Sequence, residues 1–162
     1  IEASADVDAM QNEVNAMLAS SPVPNAEEWA IHDTDHDGEL ADIKEYSGLQ
    51  AVARAMEIAE LAEDEFGCDG PQIVAAFYDH YGTCDDDPHE YVERVRDAYL
   101  GTHRNPADWA EEYLESTGAL GDVPDMLRHY VDFEAFARDA GMDWALFVQC
   151  GIDRCAVFDR NA

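Results

Sequence analysis

Leu49-Gln50-Ala51-Val52-Ala53-Arg54-Ala55-Met56-Glu57-Ile58-Ala59-Glu60-Leu61-Ala62-Glu63-Asp64-Glu65-Phe66 has the composition and period of a long amphipathic helix. Alanine, leucine, glutamate and methionine are strong helix formers, and no proline or glycine interrupts the run. Val52, Met56, Ala59, Ala62 and Phe66 recur at helical spacing and predict the buried face. Glu57, Glu60, Glu63 and Asp64 lie mostly away from that stripe, and Gly67 predicts the end of the helix.

Glu60 and Asp64 are like charges four residues apart, and the pattern recurs at Glu93 and Asp97, Asp108 and Glu112, and Glu111 and Glu115. Each such pair costs a few tenths of a kcal/mol on a helix. Interleaved lysines would give equal solubility, yet the chain has one lysine and eight arginines against 37 acidic residues. A formal net charge of −28 over 162 residues therefore reads as a functional surface.

The acids are spread evenly, with 12 in residues 1–50, 13 in 51–100 and 12 in 101–162. The nine bases divide one, three and five across the same blocks. This is no acidic tail on a neutral body. Hydrophobic residues make up 47% of the chain, enough for a packed core, so the charge does not signal disorder. Nucleic acid and anionic membranes would repel such a surface, and both are poor partners. A basic protein groove suits it better. Duplex DNA carries one charge per roughly 1.7 Å of axis, so the charge of one chain matches roughly 48 Å of duplex. Two other classes fit the composition: a carboxylate-coated protein adapted to concentrated salt, and an ordinary acidic globular domain.

Asp6 predicts an N-cap for a helix carrying Val7, Met10, Val14, Met17 and Leu18. Ser20-Ser21-Pro22-Val23-Pro24-Asn25 stops it, Glu28–Asp33 reads as a short strand, and Thr34–Ser47 reads as an acidic loop. After the long helix, Pro71 sits in a first turn leading through Ile73, Val74, Phe77 and Tyr81 to Gly82. Pro88 opens a third helix with Tyr91, Val92, Val95 and Tyr99, which Gly101 breaks. Asn105-Pro106 caps a fourth, bearing Trp109, Tyr113 and Leu114 and closed by Gly118. Pro124 starts a short helix to about Tyr130, and Asp132 caps another that Gly141 ends. Met142–Cys150 and Arg154–Phe158 read as two strands around Gly151-Ile152-Asp153. The expected class is α+β, with two small α/β ends flanking a helical middle: residues 1–46, 47–100 and 101–162.

The sharpest local motif is Asp33-Thr34-Asp35-His36-Asp37-Gly38-Glu39-Leu40, which matches the first eight positions of an EF-hand loop. Asp33, Asp35 and Asp37 would be the calcium ligands, but Lys44 stands where the bidentate glutamate belongs. An acidic turn is the simpler reading, and no metal is expected. Cys68, Cys84, Cys150 and Cys155 fall at no zinc-ribbon spacing and are expected as free thiols in a reducing cytoplasm; Cys150 and Cys155 approach each other if residues 145–158 form a hairpin. The six histidines are scattered, no nucleophile elbow or Gly-rich phosphate loop exists, and no cofactor or catalysis is expected. No apolar run reaches the roughly 18 residues of a membrane helix.

Four segments point further. Pro22-Val23-Pro24-Asn25-Ala26-Glu27-Glu28-Trp29-Ala30-Ile31-His32-Asp33, Val52-Ala53-Arg54, Trp109-Ala110-Glu111-Glu112-Tyr113-Leu114-Glu115-Ser116-Thr117-Gly118 and Tyr130-Val131-Asp132-Phe133-Glu134-Ala135-Phe136-Ala137-Arg138-Asp139 resemble the ArdA antirestriction proteins, in the family's order. The resemblance implies an elongated, three-part, dimeric mimic of bent B-form DNA. Such a mimic occupies the DNA groove of type I restriction–modification enzymes and has no catalytic activity. The family's opening strand and Gly-containing loop would precede Ile1, so the first domain is expected to lack them. Thr102-His103-Arg104-Asn105 replaces a usually acidic loop, and the Asp33–Gly38 loop is more calcium-like than the family pattern.

The candidate mimic surface comprises Glu57, Glu60, Glu63, Asp64, Asp85, Asp86, Asp87, Glu90, Glu93, Asp97, Asp108, Glu111, Glu112 and Glu115. A homodimer is expected through residues 101–162, the least acidic third, with Trp109, Tyr113, Leu114, Leu127 and Tyr130 as contact candidates. Core packing is the competing role for each of these five.

Overall fold

The computed structural model describes residues 1–32, 40, 43–82 and 87–162. It is a mixed helical structure with a small antiparallel sheet, an α+β architecture. The chain divides into two compact units, Ile1–Glu93 and Arg94–Ala162, with the division inside a helix.

In the first unit, α1 spans Val7–Ala19, and the Asp6 side chain accepts a 3.0 Å hydrogen bond from the Ala9 amide at its start. Met10 and Val14 are buried there against Leu49 and Ala53 of α2 (Gly48–Phe66), with Val7, Leu18, Trp29 and Val52 packed around them. Met17, expected in this stripe, is exposed.

The long helix forms as expected, but its buried face differs. Leu49, Ala53, Ala55, Ile58 and Ala62 are buried, whereas Val52, Met56, Ala59 and Phe66 are only half-buried. The reason is that α2 packs on two neighbours, α1 and α3 (Gly70–Tyr81), so its covered arc is wider than one stripe. A 3-10 turn, Gly67–Asp69, joins α2 to α3. Gly70 touches the preceding helix so closely that a Cβ there would lie 2.0 Å from the Ala62 carbonyl oxygen.

Ile73, Val74, Ala76, Phe77 and Tyr78 fill the inner side of α3, while Tyr81 is exposed. Helix α4 (Pro88–Ala98) begins at Asp87, whose carboxylate accepts a 3.0 Å bond from the His89 amide. Tyr91 is 1% exposed, and the Arg54 guanidinium carbon lies 5.6 Å from the centre of its ring. Among the described residues of the expected strand, Glu28–His32 are not in a strand, and the Ile31 amide donates a 3.0 Å hydrogen bond to the Glu45 carbonyl.

In the second unit, the expected third helix ends at Ala98 and the chain continues as strand β1 (Tyr99–His103). Gly101 therefore lies within a strand rather than ending a helix, with φ of 121° at a register shift between Tyr99 and Gly101. Thr102 and His103 belong to that strand and not to a loop. Helix α5 (Pro106–Ser116) is capped by Asn105, whose side-chain oxygen accepts from the Asp108 amide at 2.9 Å. Helix α6 (Asp125–Arg128) is a single turn, and α7 (Phe133–Asp143) is capped by Asp132. Gly141 does not end α7, which continues to Asp143.

Strands β2 (Ala145–Gln149) and β3 (Cys155–Asp159) form the expected hairpin, with Phe147 opposite Val157. The sheet order is β1-β3-β2, so β1 pairs with the last strand rather than a sequence neighbour. Trp109, Ala110, Ala137, Ala140, Ala145 and Val157 form the core, surrounded by Tyr113, Phe133, Phe136, Trp144 and Phe147.

Candidate functional site

The carboxylates come to the surface because the apolar stripes of their helices turn inward. On α2, Glu57, Glu60, Glu63 and Asp64 are exposed, opposite buried Ile58 and Ala62. Glu65, which the stripe pattern did not single out, is exposed beside them. Glu63, Asp64 and Glu65 occupy the last turn of α2, with no basic residue there. A helix C-terminus carries about half a negative charge, so this placement opposes the macrodipole.

Helix α4 has the opposite arrangement at its start. Asp87 and Glu90 lie at its N-terminal end, where negative charge is favoured, and both are exposed, as is Glu93. In the second unit, Asp97 is exposed and pairs with Arg96 at 3.2 Å.

Asp108, Glu111, Glu112 and Glu115 follow the i, i+3, i+4, i+7 rule along α5 and share one exposed face. Trp109 and Ala110 turn the other way, into the core. Glu112 Oε2 lies 3.5 Å from His103 Nδ1, so β1 supplies a partner to this stripe.

The two units differ sharply in charge. Residues 1–93 hold 24 acids and 2 bases, a formal net charge of −22. Residues 94–162 hold 13 acids and 7 bases, a net charge of −6.

The contact candidates separate by burial. Trp109 is 2% exposed, within ring-contact distance of Tyr113, Phe136, Trp144 and Phe147, and its side chain is committed to the core. Tyr113 and Leu114 are half-buried. Leu127 and Tyr130 are 48% and 83% exposed, and Met126 beside them is 74% exposed. Arg128 holds this short helix to the preceding loop through the Leu120 carbonyl at 3.2 Å and pairs with Asp125 at 3.6 Å.

Asp33, Asp35, Asp37, Asp85 and Asp86 lie outside the described residues, and with them the calcium-like loop. Among the described residues, no group of three or more His, Cys, Asp or Glu side chains is arranged to hold a metal. Among them too, no helix is long and apolar enough to cross a membrane. Cys68 is an exposed thiol, Cys150 and Cys155 are buried thiols at the two ends of the β2–β3 turn, and Cys84 lies outside the described residues. Burial, with Cys150 nearby, raises the Cys155 thiol from 9.0 to about 11.

The family model of the antirestriction protein ArdA matches residues 1–153. No curated protein matches the chain. The chain belongs to the ArdA antirestriction family.

Proposed function

We propose, from this membership, that the protein acts as a DNA mimic, filling the DNA-binding groove of type I restriction–modification enzymes without catalysing a reaction. The observation that carries the reading is the set of exposed carboxylates on α2, α4 and α5, repeated at three- and four-residue spacing in a chain of net charge −28. Such rows present regularly spaced negative charge, as phosphates do, to a groove lined with lysine and arginine. The same field drives away nucleic acid and anionic lipid, which favours a protein as the partner.

The reading extends to an elongated three-part molecule assembled as a two-fold homodimer. Two copies double the charged length to roughly 96 Å of duplex equivalent, which suits a bipartite DNA target. The exposed side chains of Leu127 and Tyr130, in the less acidic unit, support a contact there.

The test is a titration of a purified type I methyltransferase core with this protein, against competing duplex DNA and over a range of salt. Binding is expected to compete with DNA and to weaken steeply as salt rises. Tight binding indifferent to both would overturn the reading.

A further inference from the structure

Charge and helix polarity coincide in the first unit. Its net charge of −22 falls on 93 residues, in which 24 acids face only two bases. Helix α2 adds a local conflict: Glu63, Asp64 and Glu65 stand in its last turn, no base accompanies them, and its first turn carries no acid to favour the dipole. Each feature raises the free energy of the folded unit relative to the expanded chain, where the charges are farther apart.

The second unit lacks that load. Its net charge is −6, and Arg96–Asp97, Arg128–Asp125 and Arg138–Asp139 place cations within 4 Å of carboxylates.

Salt acts on the two units unequally for this reason. The screening length is about 3 Å at 1 M, about 10 Å at 0.1 M and about 30 Å at 0.01 M ionic strength. In dilute buffer each carboxylate of the first unit therefore repels most of the others, while at high salt it senses only its neighbours.

We propose that the first unit is held folded by screening cations and that dilution of salt unfolds it while the second unit stays folded. The acidic half of the molecule would thus be an ionic-strength-dependent element attached to a salt-indifferent one. The proposal does not depend on the identity of the target, since it concerns the free protein.

The tryptophans allow a test on the full chain. Trp29 packs on the α1–α2 cluster of the first unit, and Trp109 and Trp144 lie in the second. Their three indole N–H resonances are followed in a ¹H–¹⁵N spectrum as KCl falls from about 1 M to about 0.01 M. A conservative Trp29→Phe variant assigns the first-unit signal. The Trp29 resonance is expected to move to the unfolded position while the other two hold theirs. An E63Q/D64N/E65Q variant is expected to shift the Trp29 transition to lower salt. Three resonances that move together, three that never move, or a variant with an unchanged midpoint would each overturn the proposal.

Discussion

Tyr78 of α3 and Tyr91 of α4 are joined twice: their rings stack with centroids 3.5 Å apart at 17°, and the Tyr78 hydroxyl donates a 2.9 Å hydrogen bond to the Tyr91 carbonyl oxygen. Tyr78 is 2% exposed, so its hydroxyl has no ready exchange with water. Removing it in Tyr78→Phe should cost about 1 kcal/mol, a shift of roughly 4 °C in the melting of the first unit. Tyr91→Ala also empties ring volume and should cost about 3–5 kcal/mol. Thermal melts at fixed high salt, followed through Trp29, measure both.

Gly70 has ordinary helical φ and ψ of −53° and −50°, so its requirement is for space alone. A methyl group there would meet the backbone of Ala62 and Glu63 at under 3 Å, where nothing can rotate away. Gly70→Ala should cost at least about 3 kcal/mol, at the upper end of overpacking effects. Gly82→Ala, which meets no atom within 4 Å but has a φ of 81°, should cost only about 1 kcal/mol. Urea unfolding of the two variants should therefore differ clearly; equal stability would contradict the close approach of α2 and α3.

Inhibition should respond to groups of carboxylates rather than to single ones. Glu57→Gln, Glu60→Gln or Asp64→Asn alone is expected to change the inhibition constant less than about threefold, because long-range charge is shared over many sites. The three together should weaken inhibition about tenfold at the lowest salt at which the first unit is folded, and flatten the salt dependence above it. One substitution that abolishes inhibition in a folded protein would indicate a local contact instead.

The Cys155 thiol makes stability fall on the alkaline side. Burial is the main cause of its raised pKa of about 11, with Cys150 adding to it. The folded state then holds the proton more tightly than the unfolded state, whose thiol has the ordinary value of 9.0. The contribution is fully present below about pH 9 and is lost as pH rises through about 11. Cys155→Ala should flatten the fall in stability over that window. In native protein at neutral pH, exposed Cys68 should react with a thiol reagent well before Cys155.

Self-association should depend on the exposed apolar side chains around α6. Leu127→Asp with Tyr130→Ala is expected to shift light-scattering mass from dimer to monomer at tens of micromolar in moderate salt, an order of loss fitting the about 2 kcal/mol or more carried by central interface residues. A wild-type monomer under those conditions, or a dimer joined through residues 1–46, would contradict the proposed contact.

Much of the helical structure was legible from short-range chemistry. Asp6, Asn105 and Asp132 each accept the backbone amide three residues ahead, as cap residues at those places imply. The hairpin was legible too, because Gly151 and Asp153, with φ of 136° and 54°, form the turn between two apolar runs. The outward position of the α2 and α5 carboxylates followed from helical period alone, since residues four apart share a face whatever lies opposite.

Strand β1 was not legible in this way. Tyr99 continues the period of Tyr91, Val92 and Val95, so local pattern extends the helix through it. Its backbone is instead paired with β3, which lies more than 50 residues ahead in the chain. The same limit applies to Glu28–His32, whose short apolar run reads as a strand but pairs in no strand among the described residues. It also applies to Trp109, whose position on α5 is the same whether it faces a core or a second copy.

Composition and helical period determined the net charge, the helices and the rows of carboxylates, because those depend on residue identity and on neighbours within one turn. Tertiary structure decided which strand pairs with which, which face of α2 is covered and which aromatic residues remain at the surface. Those outcomes depend on hydrogen bonds and packing between segments far apart in sequence, and no local propensity records where the partner lies.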